Sequence, residues 1–130
     1  MSTLLLDTHV VHWASAEPHR LSDAAAHAIS DSDSLAVASV SWYELAWLAY
    51  RGRIVPREPI ASWLGGLSRS LLTIPLTPVI ALTAVSLPQT FVGDPADRQI
   101  YATAASSGWP VVSKDLRLRE FIDGDAEVIW

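Results

Sequence analysis

Four acidic residues lie far apart along the chain but at comparable places relative to the predicted strands and helices. Two of them directly follow segments that are predicted as strands, and the other two lie in the first turns of predicted helices. In a parallel α/β sheet, the carboxyl ends of the strands and the first turns of the following helices share one edge. We therefore expect the four carboxylates to converge on one pocket. The four acids are Asp7, Glu44, Asp97 and Asp115.

Convergence of these carboxylates has a cost that indicates their chemistry. Two carboxylates ~5 Å apart repel each other by roughly 3 kcal/mol at an effective dielectric constant near 20. A group of four is therefore tolerable only if it is partly protonated or bound to a cation. Because the ligands are all oxygen atoms, the expected ion is Mg²⁺ or Mn²⁺ rather than Zn²⁺. Such an ion activates water and neutralises charge during phosphodiester hydrolysis.

Each of the four acids also has a local structural explanation. Asp7 can simply begin a turn after its strand. Glu44 follows Ser41 by three residues, which is the spacing of a capping box. Asp97 follows Asp94 by three residues and can serve the beginning of its helix, where negative charge is favourable. Asp115 can begin a polar turn. These explanations stay open for each residue alone, but they do not account for the placement of all four at one edge.

The elements that must position the four acids alternate along the chain. Apolar and β-branched segments predict strands at residues 4–6, 35–40, 71–76, 111–113 and 127–130. Helical spacing and cap residues predict helices over 8–16, 22–30, 41–51, 59–67, 77–87 and 95–107. Three consecutive leucines at 4–6 are typical of a strand that is buried on both faces in the middle of a parallel sheet. The pattern predicts a single α/β domain over residues 1–130 with right-handed crossovers.

Composition limits the class of protein. The chain has 130 residues, of which 50% are hydrophobic and 18% charged, so it is predicted to fold as one globular domain. There is no cysteine and no basic stretch before the first apolar run, which favours the cytoplasm. Three prolines divide the uncharged segment 70–93, so no membrane span is expected. The net charge of −5 does not favour a broad nucleic-acid surface, although a metal site can still cut nucleic acid.

Taken together, four short segments resemble the acidic motifs of PIN-domain ribonucleases, in the same order and with similar spacing. The similarity is greatest to the VapC-like toxins of bacterial toxin–antitoxin pairs, and it extends over nearly the whole chain to residues 128–130. The segments are LLLDT at 4–8, SWYE at 41–44, DPADR at 94–98 and SKD at 113–115.

This resemblance implies a fold, an activity and partners. It implies a three-layer α/β/α sandwich, Mg²⁺- or Mn²⁺-dependent cleavage of RNA, a homodimer and inhibition by a cognate antitoxin. The four acids match the metal-binding and catalytic acids of the family: Asp7, Glu44, Asp97 and Asp115. Thr8 and Ser113 match small hydroxyl residues that help to orient those acids, and threonine is common where Ser113 stands. Asp94 matches a position that is often acidic, although capping also explains it.

Other side chains near the predicted site carry weaker signals. His9 and His12 are close to Asp7 but are expected to have structural or surface roles, because the four acids already supply hard ligands. The tryptophans at 13, 42, 47 and 63 are expected to be anchors in the core or at an interface. Arg98 is the cation favoured to contact phosphate because it belongs to the matched DPADR motif. Four cations near the predicted site are candidates for this role: Arg98, Lys114, Arg117 and Arg119.

Two other functions remain open from the residues. A phosphatase of the haloacid dehalogenase type also has an aspartate after its first strand, but it needs a second aspartate two residues later, where this chain has His9. A binding module with the same fold and no activity is the other alternative, and the retention of all four acids argues against it. Apolar content of 50% with six tryptophans predicts self-association and a further apolar surface for a partner protein.

Overall fold

The three leucines at residues 4–6 lie in the central strand of a five-stranded sheet. We describe the protein from a computed structural model, which describes residues 2–130. The strands are β1 Thr3–Leu6, β2 Ser34–Ala38, β3 Leu72–Ile74, β4 Val111–Val112 and β5 Val128–Ile129. Their spatial order is β3-β2-β1-β4-β5, and every neighbouring pair is parallel. The predicted parallel sheet, with residues 4–6 at its centre, is confirmed.

Seven α-helices connect and follow these strands within residues 2–130. They are α1 Thr8–Ala16, α2 Asp23–Asp31, α3 Val40–Tyr50, α4 Ile60–Ser70, α5 Pro78–Val85, α6 Pro95–Ser107 and α7 Leu116–Arg119. A short 3₁₀ turn, Pro18–Arg20, lies between α1 and α2. Among the described residues, no helix combines the length and apolar character that crossing a membrane requires.

Helices cover both faces of the sheet. Leu4 and Leu6 pack in one core cluster with side chains from α1, α2, α3 and α4, whereas Leu5 packs in another with Ile100 and Ala104 of α6. Leu4, Leu5 and Leu6 are only 6%, 0% and 1% exposed, so β1 is buried on both sides. Each such leucine contributes about 1.5–3 kcal/mol by leaving water. The predicted α/β/α sandwich is confirmed.

Local sequence signals set several helix ends. The Ser22 hydroxyl accepts a hydrogen bond from the Ala25 amide and begins α2. Asp94 and Asp97 form a reciprocal capping box at the beginning of α6, each carboxylate accepting from the other residue's amide. Gly108 ends α6 with φ +71°, a conformation that disfavours residues with a Cβ atom. These signals are readable in the sequence, and the predicted positions agree.

Helix α3 begins earlier than predicted, and the Ser41–Glu44 capping box is wrong. Val40 is already helical, and the preceding residue, Ser39, has helical angles (φ −56°, ψ −30°) and makes no side-chain cap. Ser41 therefore lies inside the helix, fully buried. Its hydroxyl lies 3.0 Å from Thr8 Oγ1, so it connects α3 to α1 instead of capping α3.

The other differences are in element length. Strand β2 ends at residue 38 instead of 40 because α3 follows almost immediately. Strand β3 covers Leu72–Ile74 instead of 71–76, since it is an edge strand and pairs only with residues 36–38 of β2. Helix α5 ends at 85 instead of 87, and α4 continues to 70 instead of 67. Helix α7 was not predicted.

Candidate active site

The four acids line a single open cavity at the carboxyl edge of the sheet. Its volume is about 640 Å³, and a fifth acid, Asp94, also lines it. Asp7 follows β1 and Asp115 follows β4, while Asp97 lies in the first turn of α6 and Glu44 is the fifth residue of α3. The structure thus brings together every acid for which the sequence predicted a shared site. Their catalytic and metal-binding roles stay predictions.

Asp7 is held on both carboxylate oxygens. Oδ1 accepts a hydrogen bond from the Thr8 amide at 2.8 Å, which makes Asp7 the N-cap of α1. Oδ2 accepts from the Ser113 hydroxyl at 2.6 Å. Burial raises the pKa of Asp7, these two hydrogen bonds oppose that rise, and the charge of Asp115 adds to it.

Glu44 is oriented by the other predicted hydroxyl. Thr8 Oγ1 donates to Glu44 Oε1 at 2.6 Å, across the contact between α1 and α3. Burial raises the pKa of Glu44, and the negative charges of Asp7 and Asp94 raise it further, while the Thr8 hydrogen bond lowers it. Thr8 and Ser113 therefore occupy the orienting positions that the family resemblance implied, each at one acid.

Asp97 has a strongly raised pKa within the cavity. Its side chain accepts from the Asp94 amide at 3.1 Å, and its own amide donates to Asp94 Oδ1 at 2.8 Å. Burial, with the charges of Asp94 and Asp7, raises the pKa of Asp97 to about 6, although the nearby Arg117 lowers it. Asp97 thus both caps α6 and lines the acidic cavity, so these two explanations of the residue are not alternatives.

Asp115 differs from the other three acids because the Arg117 guanidinium donates hydrogen bonds to both of its carboxylate oxygens. Arg117 Nη2 lies 2.8 Å from Asp115 Oδ2, and the same nitrogen lies 2.9 Å from Asp97 Oδ2. The Arg117 hydrogen bonds lower the pKa of Asp115. The expectation that repulsion raises the pKa of every acid in the group is therefore wrong for Asp115. For Asp7, Glu44 and Asp97 the direction is as expected, but burial is a larger cause than repulsion.

One wall of the cavity is cationic and aromatic. Lys114 Nζ lies 5.9 Å from the centre of the Trp13 ring, and His9 contacts the same ring with centroids 5.7 Å apart. Arg117 and Arg119 of α7 line the cavity as well. Acidic, basic and aromatic side chains thus line one cavity of about 640 Å³.

Arg98, the cation of the matched motif, does not line this cavity. Its guanidinium donates to the carbonyl oxygens of Ala84 at 3.2 Å and Phe91 at 3.4 Å. Its position on α6 directs it toward the end of α5 and away from the four acids. His12 is also outside the cavity, where its Nε2 lies 2.8 Å from Glu17 Oε2. The interpretation that favoured Arg98 over the other three cations as a phosphate contact is corrected.

The carboxylate oxygens of the four acids suit a hard divalent cation, although they do not surround a single point. Carboxylate oxygens are the ligands that Mg²⁺ and Mn²⁺ prefer, and three of the four acids carry a raised pKa that a bound cation would relieve. Among residues 2–130, however, no three His, Asp or Glu side chains form a ready ligand cluster. The donors fit such an ion chemically, and their side chains have to shift to share it.

Sequence reasoning missed the bridge that Arg117 makes between Asp97 and Asp115. It depends on α7, a four-residue helix for which Asp115 is the N-cap, accepting from the Arg117 amide at 2.9 Å. An aspartate cap followed two residues later by arginine is the only local signal, and it does not reveal the distant partner Asp97. Tertiary packing alone brings that residue within reach.

A parallel α/β/α sandwich with a shared carboxylate cavity at its strand ends is the arrangement implied by the resemblance to PIN domains. The sequence profile of the PIN domain matches residues 4–123. The chain belongs to the PIN-domain family.

Individual relatives agree with this assignment. Ribonuclease VapC22 of Mycobacterium tuberculosis (strain ATCC 25618 / H37Rv) is 53% identical over 130 residues, which is 100% of both chains. The predicted resemblance to the VapC-like group is thereby confirmed.

Solved structures share the fold at much lower identity. A DNA-bound VapBC from Salmonella typhimurium has a TM-score of 0.73 at 19% identity and covers 98% of this chain and 97% of that one. A toxin–antitoxin complex from Klebsiella pneumoniae has a TM-score of 0.72 at 19% identity, with coverage of 98% and 96%.

Proposed function

We propose that this protein is a metal-dependent endoribonuclease and the toxin of a toxin–antitoxin pair. The observation that carries the proposal is the convergence of Asp7, Glu44, Asp97 and Asp115 in one cavity. The name of the 53% identical relative, a ribonuclease, supports RNA as the substrate. A metal-dependent nuclease needs hard-ligand carboxylates beside a space open to a polymer, and the carboxylates here line an open cavity.

The roles of the side chains follow from their contacts. The four acids would hold Mg²⁺ or Mn²⁺, which when bound supplies an activated water and charge neutralisation at the phosphate. Ser113 keeps the Asp7 carboxylate in place, and Thr8 keeps Glu44 in place, so neither acid has to be ordered when substrate arrives. Lys114 and Arg119, which line the same cavity, would contact phosphate oxygens of the RNA.

We also propose two protein partners. Solved structures with this fold include a toxin–antitoxin complex from Klebsiella pneumoniae and a DNA-bound VapBC from Salmonella typhimurium, and this supports a cognate antitoxin. A second copy of the chain is the other partner. Helix α5 presents three large apolar side chains outward at 67–75% exposure, which is unusual for a free helix surface: Val79, Leu82 and Val85. We infer further that residues 1–130 act as one domain in the cytoplasm.

RNA cleavage assays test this proposal. Purified protein is incubated with a structured RNA in EDTA, in Mg²⁺ and in Mn²⁺, and in parallel with a phosphatase substrate. We expect internal RNA cuts only with the divalent ion and no phosphate release from the second substrate. Phosphate release without RNA cleavage would favour the phosphatase. Inactivity on both substrates, in protein that binds an antitoxin, would favour the silent binding module.

A further inference from the structure

Arg117 reaches into the acidic cavity from short helix α7 and bridges two of the four acids. Its Nη2 lies 2.9 Å from Asp97 Oδ2 and 2.8 Å from Asp115 Oδ2, and its Nε donates to Asp115 Oδ1 at 3.2 Å. The Arg117 side chain is 47% exposed, against 11% for Asp97 and 22% for Asp115. The guanidinium therefore enters from the solvent side and covers two more deeply placed carboxylates.

These contacts occupy oxygen atoms that a metal ion would need. Asp97 Oδ2 accepts from the Asp94 amide at 3.1 Å and forms an ion pair with Arg117 Nη2 at 2.9 Å. Asp115 Oδ1 accepts from the Arg117 amide at 2.9 Å and from its Nε. A divalent ion at these atoms has to displace the guanidinium, and the two positive charges also repel each other at this distance.

We propose that Arg117 is a built-in countercation that competes with the divalent metal for Asp97 and Asp115. This proposal rests on the proposed function, because it takes the four acids as metal ligands. Without metal, the guanidinium neutralises the pair of carboxylates. When metal enters, the Arg117 side chain leaves Asp97 and is free to contact the RNA phosphate that enters the same cavity. Arg117 is therefore a positioning residue that weakens metal binding in the absence of substrate.

The chain supplies a matched control for this idea. Arg119 lies on the same helix and lines the same cavity, yet within residues 2–130 it forms no ion pair with a carboxylate. Arg117→Gln and Arg119→Gln change the net charge equally, so a purely long-range electrostatic effect would be similar in both. Only Arg117→Gln removes the bridge.

Calorimetric titration of Mn²⁺ into the EDTA-treated protein, at low ionic strength and without RNA, tests the competition. We expect Arg117→Gln to bind Mn²⁺ about tenfold more tightly than the wild type, while Arg119→Gln stays within about twofold. Arg117→Lys keeps the charge but loses the fork of donors, and its Mn²⁺ affinity is expected to lie between those of the wild type and Arg117→Gln. Without metal, Arg117→Gln is expected to melt at a lower temperature than Arg119→Gln, because the carboxylates lose their countercation.

The possible results separate this inference from the proposed function. Equal Mn²⁺ affinity in wild type and Arg117→Gln, or equal tightening in both glutamine variants, overturns the countercation role while the metal site stands. Absence of Mn²⁺ binding in every folded variant overturns the metal-dependent function itself, and the inference with it. Circular dichroism of each variant establishes that it is folded before titration.

Discussion

Asp97 combines a structural and a chemical task in one carboxylate. It closes the capping box of α6 with Asp94 and lines the cavity with the other acids. Burial and neighbouring charge raise its pKa to about 6, which means that its ionised form is costly near neutral pH. A bound cation would lower that cost, so substitution of Asp97 tests its chemical task.

Asp97→Asn is expected to abolish RNA cleavage, lowering its rate at least about 10²-fold, while leaving the fold intact. Asparagine can still accept the Asp94 amide hydrogen bond through Oδ1, so the cap is retained. The measurement is RNA cleavage with Mn²⁺ together with the circular dichroism spectrum. Cleavage at the wild-type rate by a well-folded variant would remove Asp97 from the site.

The raised pKa of Asp97 also predicts a pH dependence of stability. Because its folded-state pKa of about 6 is above the ordinary value of 3.8, the folded protein retains its proton where the unfolded chain has lost it. The stability that protonated Asp97 contributes to the fold is therefore fully present below about pH 4, and it is lost as the pH rises to about 6. Relative to Asp97→Asn, the metal-free wild type should lose about 2 to 3 kcal/mol of unfolding free energy across this range.

Urea unfolding of both proteins in EDTA at several pH values between 4 and 7 measures this difference. Titrating groups that do not interact with Asp97 are present in both proteins and cancel in the comparison. Parallel stability curves for wild type and variant would mean that the Asp97 pKa is not raised on folding.

At the scale of elements, the sequence predicted what local signals determine. The leucines of β1, the Asp94 cap and Gly108 each specify their structure through side-chain size, hydrogen bonding or backbone freedom, and all were placed correctly. The beginning of α3 was missed because Ser41 looks like a cap in sequence, whereas in the fold it is a buried contact to Thr8. Burial against another helix overrode the local pattern.

The candidate site, like the elements, was predictable where local sequence determines it and not where tertiary packing does. Strand ends and helix beginnings allowed the convergence of the four acids to be predicted from a general rule for parallel sheets. The bridge made by Arg117 and the contact of Arg98 with α5 could not be predicted. Both depend on which distant segments supply partners to long, flexible side chains. Element positions are encoded locally, but the ends of long side chains are positioned by tertiary packing.

The link between α1 and α3 gives an element-scale prediction. Thr8 is 2% exposed and its hydroxyl donates to Glu44 at 2.6 Å, so Thr8→Val keeps the shape but leaves this carboxylate without its donor. We expect a loss of about 1.5 to 3 kcal/mol in unfolding free energy, since hydrogen bonds to charged groups have this magnitude. We also expect cleavage to fall about tenfold.

Thr8→Ser is the matched control, because it retains the hydroxyl and loses only a methyl group. Chemical unfolding and RNA cleavage of both variants are the measurements. If the serine variant is impaired as much as the valine variant, the Thr8 methyl group and its packing, not the hydrogen bond, account for the effect.

At the scale of the whole molecule, exposed apolar surface indicates association. The outward face of α5 carries Val79, Leu82 and Val85, and burial of such side chains against a second copy removes them from water. We expect the wild type to sediment as a dimer at micromolar concentration and Leu82→Glu to sediment as a monomer. Ile122→Glu, at an 87% exposed position outside α5, is the control and should stay dimeric. A wild type that is strictly monomeric contradicts the predicted homodimer.

The central claim is that the four acids form one cation site, and Asp7 tests it most directly. Asp7 is deeply placed with a raised pKa, and asparagine can still cap α1 through Oδ1. If the acids form one site, Asp7→Asn removes a costly charge and also a metal ligand. Stability without metal and response to metal should then change in opposite directions.

The measurement is the melting temperature of wild type and Asp7→Asn, each in EDTA and in Mn²⁺. Metal at a hundredfold excess over Kd should stabilise the wild type by about 2.7 kcal/mol. Asp7→Asn should melt at or above the wild type in EDTA, gain much less from Mn²⁺, and fail to cut RNA. An Asp7→Asn protein that melts clearly lower in EDTA, yet gains as much from Mn²⁺ as the wild type, would contradict the account.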